Sequence, residues 1–293
     1  MPRNENKKIE TQESVGEFRR SIEVFMAEHS IAGLTLAVTK HGELKIAEGY
    51  GVRDRKTKSP MQADTLIRIA SLAKPITAAV ILRMSELELI DLDRPAFSYL
   101  PAELRPARGI QNPQLEVITI RNLLQHTGGW DRAVSPLRDP MFKNQQITKE
   151  LGLSRPAQVE EIIRYMLDHP LDHCPGSKFA YSNLGYAILG RIIESVSAMS
   201  YEEASRHYVL GPAGVEAMEM GRTLAKDRPA NEASYHYWDP CELAPSVFPA
   251  DAAEVSWPEG GFYLESMDAH GGWIANVLDL SRFAVALEGQ GNT

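Results

Sequence analysis

The order of periodic segments along the chain predicts an α+β fold, in which an antiparallel β-sheet flanked by N- and C-terminal helices carries a large, mostly helical inserted domain. Three observations predict this class. The chain begins with a helical period followed by two alternating stretches. Its long middle contains only helical periods, and near the end an alternating stretch is followed by a last helical period.

The N-terminal elements have the clearest patterns. Residues 15–29 place apolar side chains at helical spacing, which predicts an amphipathic helix. Residues 34–38 alternate apolar with other side chains, and residues 44–46 do the same after a turn that contains glycine, so these two stretches predict a β-hairpin. Residues 64–70 predict a short strand, and the period changes from two to helical at Ser71.

The middle of the chain is predicted to be helical. The pattern from Ser71 to about Ile90 is that of a helix, and Pro75 fits it because the first amides of a helix have no partner within the helix. Prolines and glycines then become frequent, and the readable segments between them keep helical spacing. Further helices are predicted at residues 118–126, 157–169 and 183–199, and from about Tyr201.

The C-terminal part is less regular. Residues 227–258 contain several prolines and show no clear period, residues 259–264 alternate as a strand does, and residues 274–287 have the period of a terminal helix. Ser71 lies where sheet and helical segments meet, and ligand sites commonly form at such junctions. The predicted domains are a sheet domain of residues 1–70 and 220–293 and a mostly helical domain of residues 71–219.

Composition and charge exclude several classes of protein. With 293 residues, 43% of them hydrophobic, the chain can bury a sizeable core. Its 31 basic and 39 acidic residues give a formal charge of -8, so we expect neither nucleic acid nor a membrane surface as a partner. The sequence has no apolar run of about 18 residues and no secretory signal at its start, so the expected location is the cytoplasm.

No metal or other cofactor is predicted. His169 and His173 have a metal-like spacing, but Pro170 between them disfavours a shared helical face, and no third ligand is indicated. The two cysteines, Cys174 and Cys241, match no zinc pattern.

The first candidate for chemistry is the pair Ser71 and Lys74. Residues three apart in a helix lie on one face, about 5 to 6 Å apart at Cβ, so the amine can reach the hydroxyl. Serine becomes a good nucleophile when a neighbouring amine accepts its proton, and burial lowers the pKa of a lysine towards neutrality. A Ser-x-x-Lys pattern also occurs roughly once by chance in a chain of this length. On spacing alone, the favoured interpretation of the pair is the polar start of a buried helix rather than a catalytic pair.

Two other segments accompany this pair. A Tyr-Ser-Asn sequence at residues 181–183 begins another predicted helix, and LLQHTGGW lies between them at residues 123–130. Together and in this order, the three segments resemble the serine β-lactamase and penicillin-recognising family. The branch they resemble contains the class C β-lactamases, the D-alanyl-D-alanine carboxypeptidases and the family VIII carboxylesterases. The resemblance runs from residues 36–54 to residues 271–284, so it covers most of the chain.

The resemblance implies a β-lactamase/transpeptidase-like fold and assigns roles to three residues. Ser71 is the nucleophile that becomes acylated, and Lys74 and Tyr181 are the general base and acid. General chemistry agrees, because a phenol close to an ammonium loses its proton more readily, and either a neutral amine or a phenolate then activates the serine. Both assignments of the base remain open.

The same segments contain the predicted substrate-binding residues. The resemblance makes Asn183 a contact of the substrate or of the lysine. Ser182 and Trp130 are also predicted to bind substrate. Taken alone, Tyr181 would be a packing residue and Asn183 a helix cap. The His-Thr-Gly-Gly loop is interpreted as structural, with Gly128 allowing a turn of positive φ.

A third motif is the main departure from the family pattern. Family members have Lys-Thr-Gly, or a His or Trp variant, on a late strand that supplies an oxyanion-hole amide. His270, Gly271 and Gly272 are a candidate, but residues 271–284 resemble the segment that precedes this motif in the family. We therefore expect the C-terminal strands and the second oxyanion donor to be missing, which would cost about a hundred- to thousandfold in rate.

These observations predict a serine acyl hydrolase that forms an acyl-Ser71 intermediate, most simply a carboxylesterase acting on a small-molecule ester or amide. A β-lactamase or D-alanyl-D-alanine carboxypeptidase is the alternative within this class. A non-catalytic binding or scaffold protein, or an inactive fragment, is the alternative from another class. Tyr235, Tyr237 and Trp238 are candidates for an acyl pocket, or else for a loop packed on the surface.

Overall fold

The N-terminal hairpin forms as the alternating pattern predicts. The computed structural model describes residues 12–105, 113–235, 243–251 and 253–289. Helix α1 (Gln12–Glu28) leads into the antiparallel strands β1 (Gly33–Lys40) and β2 (Glu43–Gly51). The two turn residues, His41 and Gly42, have φ of 54° and 75°. Positive φ at both positions matches the right-handed twist of a two-residue hairpin.

A second, smaller sheet connects distant parts of the chain. Strand β3 (Ile67–Arg68) and strand β4 (Glu219–Met220) both pair antiparallel with β7 (Trp273–Ala275), which is buried along its whole length. The strand predicted at residues 64–70 is thus only two residues long, because the backbone turns at Ala70, whose φ is 46°.

The helices predicted for the middle part form with shorter bounds, and a further helix that the pattern does not predict forms at Asn144–Glu150. They are α2 (Ala73–Glu86), α3 (Ile120–Leu124), α4 (Asn144–Glu150), α5 (Val159–Leu167), α6 (Asn183–Ser197) and α7 (Tyr201–Ser205), the last continuing into a π-helical turn at Arg206–Leu210. Single 3-10 turns lie at Ala70–Leu72, Ala96–Tyr99, Ala102–Leu104, Pro113–Val117, Pro140–Phe142, Ala225–Asp227, Trp257–Glu259 and Leu264–Met267.

Helix α6 lies at the centre of the core. Its residues from Asn183 to Ile193 are all buried, and it packs against α2, α3, α5, α7 and α8 (Asp268–Gly271). The same buried apolar cluster includes Ile69 and Trp273 beside the small sheet. The division into a sheet domain and a helical domain stays a prediction, since one core extends across the proposed boundary.

Three predictions about the sheet part are wrong in detail. A single sheet was expected, but the described residues form three small ones, including the hairpin of β5 (Leu243–Pro245) and β6 (Glu254–Ser256) within the segment interpreted as irregular. Residues 259–264 are not a strand, because Gly260 has φ of 129° and the chain folds back against Trp257. The C-terminal helix α9 (Val277–Leu287) begins after β7, where the Asn276 side chain caps it by accepting from the Asp279 amide.

The predicted α+β class with the β-lactamase/transpeptidase-like arrangement is confirmed. In the parts of the chain that the structure describes, no helix combines the length and apolar character that a membrane span requires.

Candidate active site

Ser71 lies where the small sheet meets the helical part. Strand β3 ends at Arg68, and the positive φ of Ala70 turns the chain into the 3-10 turn that contains Ser71 and leads directly into α2. The Ser71 side chain is exposed and lines a cavity of about 390 Å³. A hydroxyl at the start of a helix, beside an open cavity, is well placed to meet a substrate.

The three residues predicted to carry the chemistry meet at this point. Ser71 Oγ and Tyr181 Oη lie 2.7 Å apart and share a hydrogen bond in which either oxygen can donate. Lys74 Nζ donates to Ser71 Oγ at 3.3 Å and lies 4.7 Å from the centroid of the Tyr181 ring. The serine therefore has both candidate proton acceptors within reach.

The ammonium group of Lys74 loses its proton at a lower pH than that of an ordinary lysine. Its side chain is buried, and Nζ donates to the backbone carbonyl of His270 at 2.8 Å. The pKa of Lys74 is lowered to about 8, mainly by burial; the charge of Asp139 opposes this shift and the charge of Arg132 adds to it. A substantial fraction of Lys74 is thus uncharged slightly above neutral pH.

His126 positions the tyrosine rather than exchanging protons. Its ring lies 4.6 Å from that of Tyr181, and its Nδ1 accepts from the Ser182 amide. Burial and the charge of Lys74 lower the pKa of His126 to about 4, so the imidazole is neutral at physiological pH. This geometry supports the structural interpretation of the loop.

The conformation of this loop differs from the prediction in one respect. Positive φ occurs at His126 (56°) and Gly129 (107°), and Gly128 does not have it. A Cβ on Gly129 would lie 2.5 Å from the carbonyl oxygen of His173, so the close approach of two backbones requires a glycine there.

Asn183 lines the cavity and is fixed by a carboxyl group that sequence reasoning missed. Its Nδ2 donates to Asp139 Oδ2 at 2.6 Å, and its buried Oδ1 has no partner among the described residues. Burial raises the pKa of Asp139 above its usual range. The only sequence signal for Asp139 is the Asp-Pro step with which it caps the turn at Pro140–Phe142.

Two predicted substrate-binding residues lie away from the cavity. Ser182 caps α6, since its Oγ accepts from the Gly185 amide, and it does not line the cavity. Trp130 is buried with its ring against Gly128, where it packs the loop. The substrate-binding roles of these two residues stay predictions, and the contacts described here are those of a helix cap and of loop packing.

The candidate third motif lies only partly at the site. His270 and Gly271 line the cavity, but Gly272 does not. All three differ from the motif in conformation, because the first two belong to the short helix α8 and Gly272 caps it. The His270 carbonyl contributes by accepting from Lys74, a contact made by the backbone and therefore absent from any side-chain pattern.

The apolar wall of the cavity comes from unexpected residues. Phe142, Trp257 and Phe262 form an aromatic cluster with ring centroids 5.5 to 6.2 Å apart, and all three line the cavity. Arg68 holds this wall in place, since its guanidinium donates to the carbonyl oxygen of Pro258 at 2.8 Å and lies 5.6 Å from the Phe262 centroid.

Of the three acyl-pocket candidates of the sequence, the one that the structure describes does not form this wall. Tyr235 lies outside the cavity lining, where its hydroxyl donates to Glu232 and accepts from the Arg68 amide. Tyr237 and Trp238 lie outside the described residues.

The histidines with metal-like spacing face different partners. His169 Nδ1 lies 2.8 Å from the Tyr165 carbonyl oxygen, and His173 Nε2 lies 3.0 Å from Asp131 Oδ2. Nowhere in residues 12–105, 113–235, 243–251 and 253–289 do three or more His, Cys, Asp or Glu side chains gather in a way that could hold a metal ion.

On this β-lactamase/transpeptidase-like fold, a serine lies within hydrogen-bond distance of both a buried lysine and a tyrosine, which is the arrangement that the Ser-x-x-Lys and Tyr-Ser-Asn segments predict. A model of the Beta-lactamase family matches residues 18–293, and the chain belongs to this family.

Three proteins of known identity illustrate the similarity. Esterase EstB of Burkholderia gladioli is 30% identical over 235 residues, which are 80% of this chain and 57% of EstB. Penicillin-binding protein 4* of Bacillus subtilis (strain 168) is 28% identical over 294 residues, which are 98% of this chain and 57% of that protein. The octameric penicillin-binding protein homologue from Pyrococcus abyssi has a TM-score of 0.70 at 25% identity, over 95% of this chain and 57% of that one. The chain thus spans about half the length of the curated relatives it matches.

Proposed function

We propose that the protein is a carboxylesterase that works through an acyl-Ser71 intermediate. The observation that carries this proposal is the hydroxyl of Ser71 within hydrogen-bond distance of both Tyr181 and Lys74, at the edge of an open cavity. The aromatic wall of Phe142, Trp257 and Phe262 suits the apolar part of an ester. The name of EstB, a relative at 30% identity, agrees with this reaction.

The reaction divides the proton transfers between two residues. Ser71 Oγ attacks the ester carbonyl carbon while its proton passes to the Tyr181 and Lys74 pair, and the tetrahedral intermediate forms. The shorter contact, 2.7 Å against 3.3 Å, makes Tyr181 the direct partner of the serine. The same pair then protonates the leaving alkoxide, and a water molecule that loses its proton to this pair hydrolyses the acyl-enzyme.

The pH dependence of this reaction follows from Lys74. Because its pKa is lowered to about 8, the neutral amine predominates above pH 8 rather than only above its ordinary value of 10.5. We expect kcat/KM for a neutral ester to rise with pH and to level off above an apparent pKa of about 8. The measurement is a pH-rate profile with an ester that has no ionisable group. A rising limb near 10.5 would contradict the assignment of Lys74.

The acyl-enzyme itself tests the proposal. Purified protein is exposed to a fluorophosphonate, to 4-nitrophenyl butyrate and to a penicillin, and its intact mass is measured. We expect a stable adduct from the fluorophosphonate and a butyryl adduct in samples quenched with acid during turnover of the butyrate ester, and Ser71→Ala should abolish both. The control Ser21→Ala removes an exposed serine of α1 outside the cavity, so it should keep both adducts.

The other outcomes separate the alternative functions. A long-lived penicillin adduct without ester turnover would favour the penicillin-recognising alternative. An adduct that persists in Ser71→Ala would move the nucleophile to another residue. If no reagent labels the folded protein, the proposal fails and a non-catalytic binding role takes its place.

A further inference from the structure

Arg132 gives the cavity a cation that the reaction above does not use as a proton carrier. It lies in the segment that follows the His-Thr-Gly-Gly loop, its side chain is exposed, and it lines the cavity together with Ser71. Its guanidinium carbon lies 4.8 Å from the centroid of the Tyr181 ring. One tyrosine side chain therefore separates this charge from the nucleophile.

The guanidinium of Arg132 is available to a ligand. No hydrogen bond or ion pair within the described part of the chain involves its side chain, although it lies over the Tyr181 ring and feels the charges of Lys74 and Asp139. An arginine presents five N–H donors in a fork that matches a carboxylate. Such donors at the wall of a cavity favour a ligand group that accepts two parallel hydrogen bonds.

The two other cations at the cavity are already engaged. Arg68 donates to three backbone carbonyl oxygens, those of Pro258, Arg222 and Thr223. Lys74 donates to Ser71 and to the His270 carbonyl oxygen. Of the described arginines and lysines that line this cavity, Arg132 is thus the one whose charged group makes no hydrogen bond or ion pair to the protein.

The backbone that carries Arg132 is anchored firmly at its preceding residue. The Asp131 carboxylate accepts from Lys178 Nζ at 2.9 Å and from the Ala133 amide at 2.9 Å, and His173 Nε2 lies 3.0 Å away. The Asp131 amide in turn donates to Asp172 Oδ2 at 2.8 Å. These contacts fix the start of the segment before any ligand binds, which lowers the ordering cost of binding.

Asp139 is the acidic group that faces Arg132, and it does not neutralise the arginine completely. No ion pair within 4.0 Å joins them, and the Asp139 carboxylate already accepts from Asn183 Nδ2 at 2.6 Å and from the Met141 amide at 3.2 Å. The N–H fork of Arg132 is therefore left for a group that enters from the cavity.

We propose that Arg132 selects esters that bear a carboxylate, by binding that carboxylate while the ester carbonyl lies at Ser71. This inference rests on the proposed ester hydrolysis at the same site and narrows its substrate class. The aromatic wall contacts the apolar part of the substrate, and the arginine orients its charged end.

The test compares matched esters that differ only in charge. The pairs are meta-acetoxybenzoate with meta-acetoxybenzamide, and monomethyl glutarate with methyl pentanoate, so that the carboxylate lies on the leaving group in one pair and on the acyl group in the other. In at least one pair we expect kcat/KM to favour the anionic ester about tenfold or more, as one charge-assisted hydrogen-bonded pair provides. Arg132→Gln should abolish this preference and Arg132→Lys should retain part of it.

Arg138→Gln is the matched control, because Arg138 is an exposed arginine of the same segment that does not line the cavity. It should keep the preference. Arg132 also lowers the pKa of Lys74, so Arg132→Gln will change the rates of both esters, and only the ratio within a pair reports carboxylate binding. An absent preference, or one that Arg132→Gln leaves unchanged, overturns the inference.

A binding measurement separates this inference from the proposed function. In the Ser71→Ala protein, calorimetry compares the binding of benzoate and benzamide with and without Arg132→Gln. Selective binding of benzoate that depends on Arg132 supports the inference even if no ester is hydrolysed, whereas equal binding of the two ligands contradicts it. Failure of ester hydrolysis together with failure of Ser71 labelling counts against the proposed function alone.

Discussion

Lys74→Met is expected to lower kcat/KM for ester hydrolysis by about a thousandfold or more without lowering the free energy of unfolding. The activity falls because the variant loses the amine that lies 3.3 Å from Ser71 Oγ. The stability is kept because a buried lysine with a pKa of about 8 disfavours the folded state when it is charged. Activity assays and urea unfolding at pH 7 measure the two quantities.

The lowered pKa of Lys74 makes the free energy of unfolding depend on pH. Between the lowered pKa of about 8 and the ordinary value of 10.5, the unfolded chain holds a proton on Lys74 that the folded chain has released. Stability therefore rises with pH through this window, and the full cost, on the order of 3 kcal/mol, is present below pH 8. Methionine removes this cost and loses the hydrogen bonds to the His270 carbonyl and to Ser71 Oγ, together worth about 1 to 3 kcal/mol.

Two further variants complete this prediction. Ser71→Ala combined with Lys74→Met should be little slower than either single variant, because residues that act as a unit are not additive. Lys149→Met, on the exposed end of α4, should leave kcat/KM within twofold of the wild type, about the change a mutation distant from the site produces. A Lys74→Met protein that keeps its activity would refute the catalytic assignment of Lys74. A variant that unfolds would refute the expected stability.

Arg191→Met is expected to destabilise the protein by about 3 to 5 kcal/mol. The Arg191 side chain is 6% exposed, and its Nη1 lies 2.9 Å from Glu160 Oε1, its Nε 2.9 Å from Glu194 Oε2, and its Nη2 in contact with Asp268. The contact with Glu194 is close without hydrogen-bond geometry, so it is purely electrostatic. Methionine would leave three carboxylates facing one another in a partly buried place. Urea unfolding followed by circular dichroism measures the loss.

The control for Arg191 is an arginine in an exposed ion pair. Arg83 pairs with Glu86 at 3.0 Å on α2, with the two side chains 51% and 67% exposed. Exposed pairs contribute little, so Arg83→Met should change the free energy of unfolding by less than about 1 kcal/mol. Equal and small effects of the two substitutions would show that the Arg191 network does not stabilise the fold.

The chemistry of the site was more predictable from the sequence than its walls. Ser71 and Lys74 lie one helical turn apart, so a short pattern captures their relation, and the helix that Ser182 caps places Tyr181 just before its first turn. The positioning role of His126 also agrees with the sequence-based interpretation, since burial keeps its imidazole neutral.

The residues that form the walls of the cavity could not be predicted, because they lie in segments without helical or strand periodicity. Phe142 and Trp257 lie in 3-10 turns, and Arg132 lies in an irregular segment whose shape depends on contacts 41 and 47 residues away in sequence, made through Asp131. The sequence pattern predicts a helix from residue 274 and does not reveal strand β7, because three buried residues are too few to show alternation. The sheet order, with β7 between two strands from distant parts of the chain, likewise depends on long-range pairing.

Two contacts of the site, Ser71 with Tyr181 and Lys74 with the His270 carbonyl, join residues far apart in sequence, so they determine when the site can form during synthesis. Tyr181 is 110 residues after Ser71, and the carbonyl that accepts from Lys74 is 196 residues after it. At a synthesis rate of about 5 to 20 residues per second, roughly ten to forty seconds separate the appearance of Lys74 from that of its acceptor. During synthesis, the serine therefore leaves the ribosome without Tyr181 and without the carbonyl that accepts from Lys74, and the contacts of the proposed nucleophile are complete only after α8 has been made.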